Sequence, residues 1–279
     1  MDFAMRARKT TTIQWLGAAE IDGYAAILCD LDGCLIAAGR ALPGAEDFVR
    51  AAGKRLSIVS NNSADTCVTL SAKLNAIGLS LPQESIFLAG ELAVRTIAAE
   101  RPGARIHVIA EQPLHALAAE LGLERANDRT DVVLLARDTK FTLTGLEKAL
   151  RLLEQGAELV VTNPDLSHPN ADGRPVPETG SLLAAFKACC PEIAPRVIGK
   201  PQPFLIGAAL EAAGVPASEA VFVGDNAATD GAAATLAGLD FIHLVATPSP
   251  IVRSFQGVLS GDRTKGYRQT SAVPHRRGT

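Results

Sequence analysis

Ala25-Ala26-Ile27-Leu28-Cys29-Asp30-Leu31-Asp32-Gly33 is an apolar run that stops in two carboxylates spaced i, i+2, followed at once by glycine. A short apolar run bounded by turn residues reads as a buried strand. In an alternating α/β chain, ligands gather in the crevice beyond the carboxyl ends of parallel strands. Two acids placed there cost stability unless a cation or a proton neutralises them. Taken alone, the stretch also reads as an ordinary strand-to-turn transition, because Asp and Gly favour turns. The rest of the chain decides between these readings.

Working outward, Ala45–Ala52 reads as a short helix after Pro43-Gly44, and Leu56–Val59 as a second buried strand ending in Ser60-Asn61-Asn62-Ser63. Residues 64–77 place Val68, Leu70, Leu74 and Ile77 at helical spacing, with Gly78 as the stop. The same rhythm returns late in the chain. Val197-Ile198 leads into Gly199-Lys200-Pro201, Phe204–Ala213 reads as a helix, and Val221–Val223 is a strand ending in Gly224-Asp225-Asn226, with Asp230 five residues beyond Asp225. Phe241–Val245 is the last strand expected. Strand alternating with helix predicts a parallel sheet with right-handed crossovers. Residues 1–20 read as a loosely attached segment that Ile13, Trp15 and Leu16 anchor.

Between these halves the alternation continues without chemically loaded strand ends. Helices are expected at Ile86–Ala99, Leu114–Leu121 and Ser181–Ala188, and at a stretch with Leu143, Leu146, Leu150 and Leu153 on one face. Strands are expected at Ile106–Ile109, Val132–Leu135 and Leu159–Thr162, the last leading into Asn163-Pro164-Asp165 and a turn-rich loop from Ser167 to Gly180. This block can bury its own core. The expected division is therefore a core of residues 1–82 and 195–279 with a second α/β domain, 83–194, inserted in it.

A chain of 279 residues fits two domains. With 47% apolar residues and a net charge of −3, nothing points to a polyanionic partner, although a small anionic substrate needs only a local positive site. The odd cysteine count and the absence of a CxxC pair fit reduced thiols and a cytoplasmic protein. No apolar stretch reaches the roughly 18 residues of a membrane span. Residues 252–279 hold Arg253, Arg263, Lys265, Arg268, Arg276 and Arg277 against Asp262, without interleaved aromatics, and read as a solvated flexible tail more than a nucleic-acid binder.

Four strand ends thus carry polar groups able to converge: Asp30 and Asp32; Ser60, Asn61 and Asn62; Lys200; Asp225 and Asp230. Singly they have plain explanations as turns, a helix cap or a surface lysine. Together, three acids suit a hard divalent cation such as Mg²⁺, and a lysine with a hydroxyl-and-amide turn suits a phosphoryl group.

In order and spacing, Asp30-Leu31-Asp32-Gly33, Ser60-Asn61-Asn62, Gly199-Lys200-Pro201 and Gly224-Asp225-Asn226-Ala227-Ala228-Thr229-Asp230 resemble the four motifs of the haloacid dehalogenase (HAD) superfamily. The inserted block, with Thr162-Asn163-Pro164-Asp165, is similar to the cap of the NagD-like, C2a-capped phosphatases. The resemblance covers residues 23–247 and implies a Rossmann-like parallel-sheet core with an inserted α/β cap. It implies a Mg²⁺-dependent phosphatase of small phosphomonoesters: sugar phosphates, phosphoglycolate, nucleotides or pyridoxal phosphate. Asp30 would be the nucleophile and Asp32 the general acid and base. Ser60, Asn61, Asn62 and Lys200 would hold the phosphoryl group. The metal would take Asp30, the Asp32 carbonyl and Asp225, with Asp230 supporting through water. A carboxylate at Asp32 argues against the dehalogenase branch, and Cys34 stands where threonine or valine is more usual. His168 and Arg174 lie in the cap loop without a distinctive pattern. The partner implied is a small phosphorylated metabolite, not nucleic acid or a membrane, and the cap is a candidate surface for a homodimer. The competing readings are a phospho-receiver module, which is smaller and carries its acid on a middle strand, and a non-catalytic phosphoryl-binding regulator on the same fold.

Overall fold

The computed structural model describes residues 8–126, 129–170, 172 and 174–245, so the basic stretch 252–279 lies outside the described residues. The chain opens with β1 (Thr10–Ile13), β2 (Ala26–Cys29), a hairpin of β3 (Ile36–Ala37) and β4 (Arg40–Ala41), α1 (Ala45–Ala52), β5 (Leu56–Ser60), α2 (Cys67–Ala76), β6 (Ile86–Leu88) and α3 (Ala89–Glu100). It continues through β7 (Arg105–Ile109), α4 (Gln112–Glu120), β8 (Glu124–Arg125), β9 (Val132–Leu135), α5 (Leu143–Glu154), β10 (Glu158–Val161), β11 (Ser167–Pro169), β12 (Pro175–Pro177) and α6 (Thr179–Cys189). It closes with β13 (Arg196–Val197), α7 (Phe204–Ala213), β14 (Ala220–Gly224), α8 (Ala232–Ala237) and β15 (Asp240–Leu244).

The strands form two main sheets. One is six-stranded in the order β1-β15-β14-β2-β5-β6, and the other five-stranded in the order β13-β10-β9-β7-β8. Every pairing in both is parallel. Parallel sheets are covered on both faces, which is why their strands read as unbroken apolar runs. β2 shows this directly: Ile27 and Cys29 pack into the core on one face, Ala26 and Leu28 into the core on the other. The second sheet repeats the arrangement, with Leu134 and Val160 on one face and Val133, Leu135 and Val161 against Phe186 on the other. The fold is thus a parallel-sheet α/β core with an inserted α/β cap. β2 lies between β14 and β5, so the chain leaves it in opposite directions on its two sides and a crevice opens at its carboxyl end.

Several local expectations shift. Ile86–Leu88 is a strand on β5, and the helix expected from Ile86 begins at Ala89. Three apolar residues satisfy either period, and the open edge of β5 decides the matter. Thr10–Ile13, expected to be loosely attached, is an edge strand in register with Phe241–Leu244. Its β-branched threonines fit a half-exposed strand. Of the three anchors, Ile13 and Leu16 are buried and Trp15 is exposed. Val68 and Leu143 face solvent, because α2 buries Leu70, Ser71 and Leu74, and α5 buries Leu146, Ala149 and Leu152. The loop expected at 167–180 contains the β11–β12 hairpin and the start of α6. Near the expected domain limits, β6 belongs to the six-stranded sheet and β13 to the five-stranded one.

Candidate active site

Register brings the expected groups to one end of the six-stranded sheet. Cys29 pairs with Val223 on one side and with Ile58 on the other, so the residues beyond them emerge side by side. The Asp30 amide donates to the Val223 carbonyl at 2.9 Å, which holds Asp30 at the strand end. Lys200 is buried with 2% of its surface exposed. Its Nζ lies 2.7 Å from Asp30 Oδ1 and 2.7 Å from Asp230 Oδ1. The same Nζ sits 5.3 Å from the centre of the Phe222 ring, a favourable place for a cation. Burial alone would lower the lysine pKa, but Asp230 and Asp30 more than offset it and hold the group charged.

The carboxyls respond in the opposite sense to an ordinary ion pair. Burial pushes Asp30 well up, against the pull of Lys200, and the neighbouring Asp230 and Asp225 push the same way. Asp225 is pushed up to about 6, first by burial and then by Asp230. Asp32 keeps contact with solvent, yet surrounding protein raises its carboxyl, while His168 and Lys200 lower it. Four carboxylates, Asp30, Asp32, Asp225 and Asp230, thus surround a single lysine. That excess of negative charge fits a divalent cation, and one oxygen each from Asp30 and Asp225 lies within 4.8 Å of the other and of the Cys34 sulfur.

Asp230 is placed apart from that group. One oxygen faces Lys200 and the other accepts the Asn226 amide at 3.1 Å. A Cβ on Gly224 would come within 2.4 Å of Asp230, so glycine lets this carboxylate close on the strand end.

The Ser60-Asn61-Asn62 turn is built differently from a simple row of ligands. Ser60 is buried and its Oγ accepts the Asn62 amide at 3.1 Å. The Asn61 side chain accepts the Lys200 amide at 2.8 Å and donates to the Lys200 carbonyl at 3.0 Å and to Asp165 Oδ2 at 2.9 Å. Asn62 accepts the Ala64 and Asp65 amides and donates to Asp65. The two amide side chains therefore tie the lysine strand end, the cap and their own turn together.

The cap reaches the site through two segments. Asn163 donates to the Asn61 carbonyl at 2.8 Å, and buried Ser63 and Thr179 share a hydrogen bond at 3.0 Å. On the cap hairpin, His168 Nδ1 lies 2.7 Å from Glu178, which also faces Arg137 at 3.1 Å. Arg174 is exposed and engages Asn170 through its backbone.

Sequence reasoning passed over Phe222, Ser63, Thr179 and His243. His243 bonds the Asp225 carbonyl at 3.1 Å, and its only signal was a polar residue within the apolar run of β15.

A family model described as haloacid dehalogenase-like hydrolase matches residues 27–124, and a second HAD-like hydrolase model matches residues 197–248. The acid sugar phosphatase of Staphylococcus aureus (strain USA300) is 30% identical over 225 residues, covering 79% of this chain and 86% of that protein. The chain belongs to the haloacid dehalogenase-like hydrolases. Among solved structures, NagD from E. coli K-12 superposes on this HAD hydrolase with a TM-score of 0.72 at 26% identity, covering 82% of this chain and 90% of that one. Glycerol phosphate phosphatase from Mycobacterium tuberculosis, in complex with calcium, gives 0.72 at 28% identity, covering 79% and 66%. This HAD chain is NagD-like and is a hydrolase of phosphoric monoesters. Among its described residues no helix is long and apolar enough to cross a membrane.

Proposed function

We propose that the protein is a Mg²⁺-dependent phosphatase that hydrolyses a small phosphomonoester through an aspartyl phosphate on Asp30. The observation that carries this reading is buried Lys200, 2.7 Å from both Asp30 and Asp230 at the carboxyl end of the sheet. Lys200 fixes one oxygen of Asp30, leaves the other to attack phosphorus, and faces the arriving phosphoryl oxygens. The P–O bond to the leaving group breaks as the Asp30–P bond forms, and Asp32 gives its proton to the departing oxygen. Asp32 then takes a proton from water, which attacks phosphorus and releases phosphate and Asp30. The raised carboxyl of Asp32 suits a group that must first donate. Ser60 and the backbone of its turn, together with Lys200, receive the phosphoryl oxygens; Asn61 and Asn62 hold that turn in place.

The divalent ion would be held by Asp30, the Asp32 backbone carbonyl and Asp225, with Asp230 supporting through water. When bound, it neutralises phosphoryl charge in the transition state. The block from α3 to β13 acts as the cap, and the β11–β12 hairpin, with His168 held by Glu178, faces the leaving group. The substrate is a small phosphorylated metabolite, with sugar phosphates and glycerol phosphate first in a test panel because of the named relatives.

Hydrolysis of p-nitrophenyl phosphate tests the reading. Activity is expected to disappear on exhaustive chelation and to return with Mg²⁺. Turnover untouched by chelation would exclude the metal-dependent mechanism.

A further inference from the structure

The cap has a cavity of its own, at the edge of the five-stranded sheet. β8 pairs with β7 only at Arg105 and Ile106, and a cavity of about 440 Å³ lies beside them. α4 packs on one face of this sheet and α5 on the other. Both reach the cavity, α4 through His115 and Ala118, and α5 through Lys148. Ile106, Ala118 and Leu123 are buried and give it an apolar floor. The ionisable groups that line it all carry positive charge when protonated: His107, His115, Arg125 and Lys148. Among the described residues no acid lines the cavity, and neither Arg125 nor Lys148 has an ion pair. Glu147, next to Lys148, is turned to Arg151 at 3.3 Å. Burial, and after it Lys148, His115 and Arg125, lower the His107 pKa to about 4, so the three other groups converge on this ring.

We propose that this cavity is a second binding site, apart from the Asp30 centre, for a compact organic oxyanion: an apolar body on the floor, and a phosphate or carboxylate that Arg125 and Lys148 neutralise. Like charges gathered around a concave surface repel one another, and an anion turns that repulsion into attraction. The arginine fork matches two oxygens of either head group, and the lysine adds a point charge. An uncharged His107 still donates one hydrogen bond. The apolar floor distinguishes the cavity from a basic surface patch, where an anion stays hydrated. A hollow of this size with a few convergent polar groups is the usual form of a small-molecule site.

The test follows the full chain in Mg²⁺ by NMR, with its histidine rings labelled, during titration with phenylphosphonate, benzoate and inorganic phosphate. At least one of the two organic anions is expected to shift the His107 and His115 resonances along one saturable curve, with a Kd of about 1 mM or tighter. The tighter of the two identifies the head group. His168, on the cap hairpin, reports separately on binding at the Asp30 centre. Inorganic phosphate lacks the apolar body and should bind the cavity at least about tenfold more weakly. Arg125→Gln and Lys148→Gln should each weaken the His107 response by up to about fivefold, and together by about tenfold or more. Turnover of p-nitrophenyl phosphate by the double variant should stay at the wild-type rate, which reports an intact fold. Shifts confined to His168, equal binding of inorganic phosphate at His107, or a His107 curve unaltered in the double variant overturns the proposal while leaving the phosphatase reading standing.

Discussion

Asp30 and Asp32 are two residues apart and live in different surroundings. Asp30 is buried on Lys200, whereas Asp32 keeps contact with solvent and is influenced by His168 from the cap. Asp30→Asn should abolish turnover and covalent labelling together, because an amide cannot attack phosphorus. Asp32→Asn retains the nucleophile. With the good leaving group of p-nitrophenyl phosphate it should give a burst or a trapped phosphoenzyme and little steady turnover, a loss of about 10²–10⁴-fold. Wild-type rates for Asp32→Asn on an alkyl phosphate would remove the acid–base role. Lys200 makes a separate point. Replacing it by methionine leaves Asp30 and Asp230 facing each other in a buried site, a loss expected to cost about 3–5 kcal/mol in urea denaturation. Added divalent cation, held by Asp30 with Asp225, should recover part of that loss in Lys200→Met, and no recovery would argue that Asp30 does not ligate the ion.

At the scale of elements, the turn after β5 is the joint between core and cap. Asn61 links the Lys200 backbone to Asp165, and Asn163 closes the loop back to Asn61. Asn61→Ala should cost about 1–3 kcal/mol by leaving buried partners unsatisfied, and kcat should fall with it because Lys200 loses its positioning. Stability and kcat both at wild-type values would show the joint to be dispensable. Much of the core was legible because β2, β5, β9 and β14 are buried on both faces and read as unbroken apolar runs. The short strands were not: β6, β8 and β13 have two or three residues each, and only a neighbouring edge turns them into strands. The catalytic groups were legible as residue types at strand ends. That Asn61 holds protein partners was not, because it depends on segments more than 100 positions away, whereas the Asn62 side chain closes a local turn onto Ala64 and Asp65. Cys34 shows the same limit, since proximity to Asp225 arises only from the pairing of β2 with β14.

For the whole molecule, the acids of the site couple stability to pH and to metal. Burial raises the carboxyls of Asp30, Asp32, Asp165 and Asp225 above their ordinary range, in Asp225 to about 6. A raised acid holds its proton more tightly in the folded chain than in the unfolded one. Its contribution to stability is therefore present below the unfolded pKa of about 3.9 and is lost as pH rises through the folded value. Lys200, held charged by its two partners, does not change state in this window. The metal-free protein should accordingly lose stability between about pH 4 and pH 7 through these groups. A divalent ion binds the ionised carboxylates, so its stabilisation should grow over the same interval. At a free ion concentration of 100 times Kd the gain is about 2.7 kcal/mol, which corresponds to a rise in Tm of about 5–10 °C for a chain of this size. Thermal melts with Mg²⁺ and with chelator should therefore nearly coincide at pH 5 and separate at pH 7.5. Asp225→Asn, which cannot ionise, should flatten the pH dependence of the metal-free melt and shrink the separation. A Mg²⁺ increment equal at the two pH values would disconnect these carboxylates from the ion.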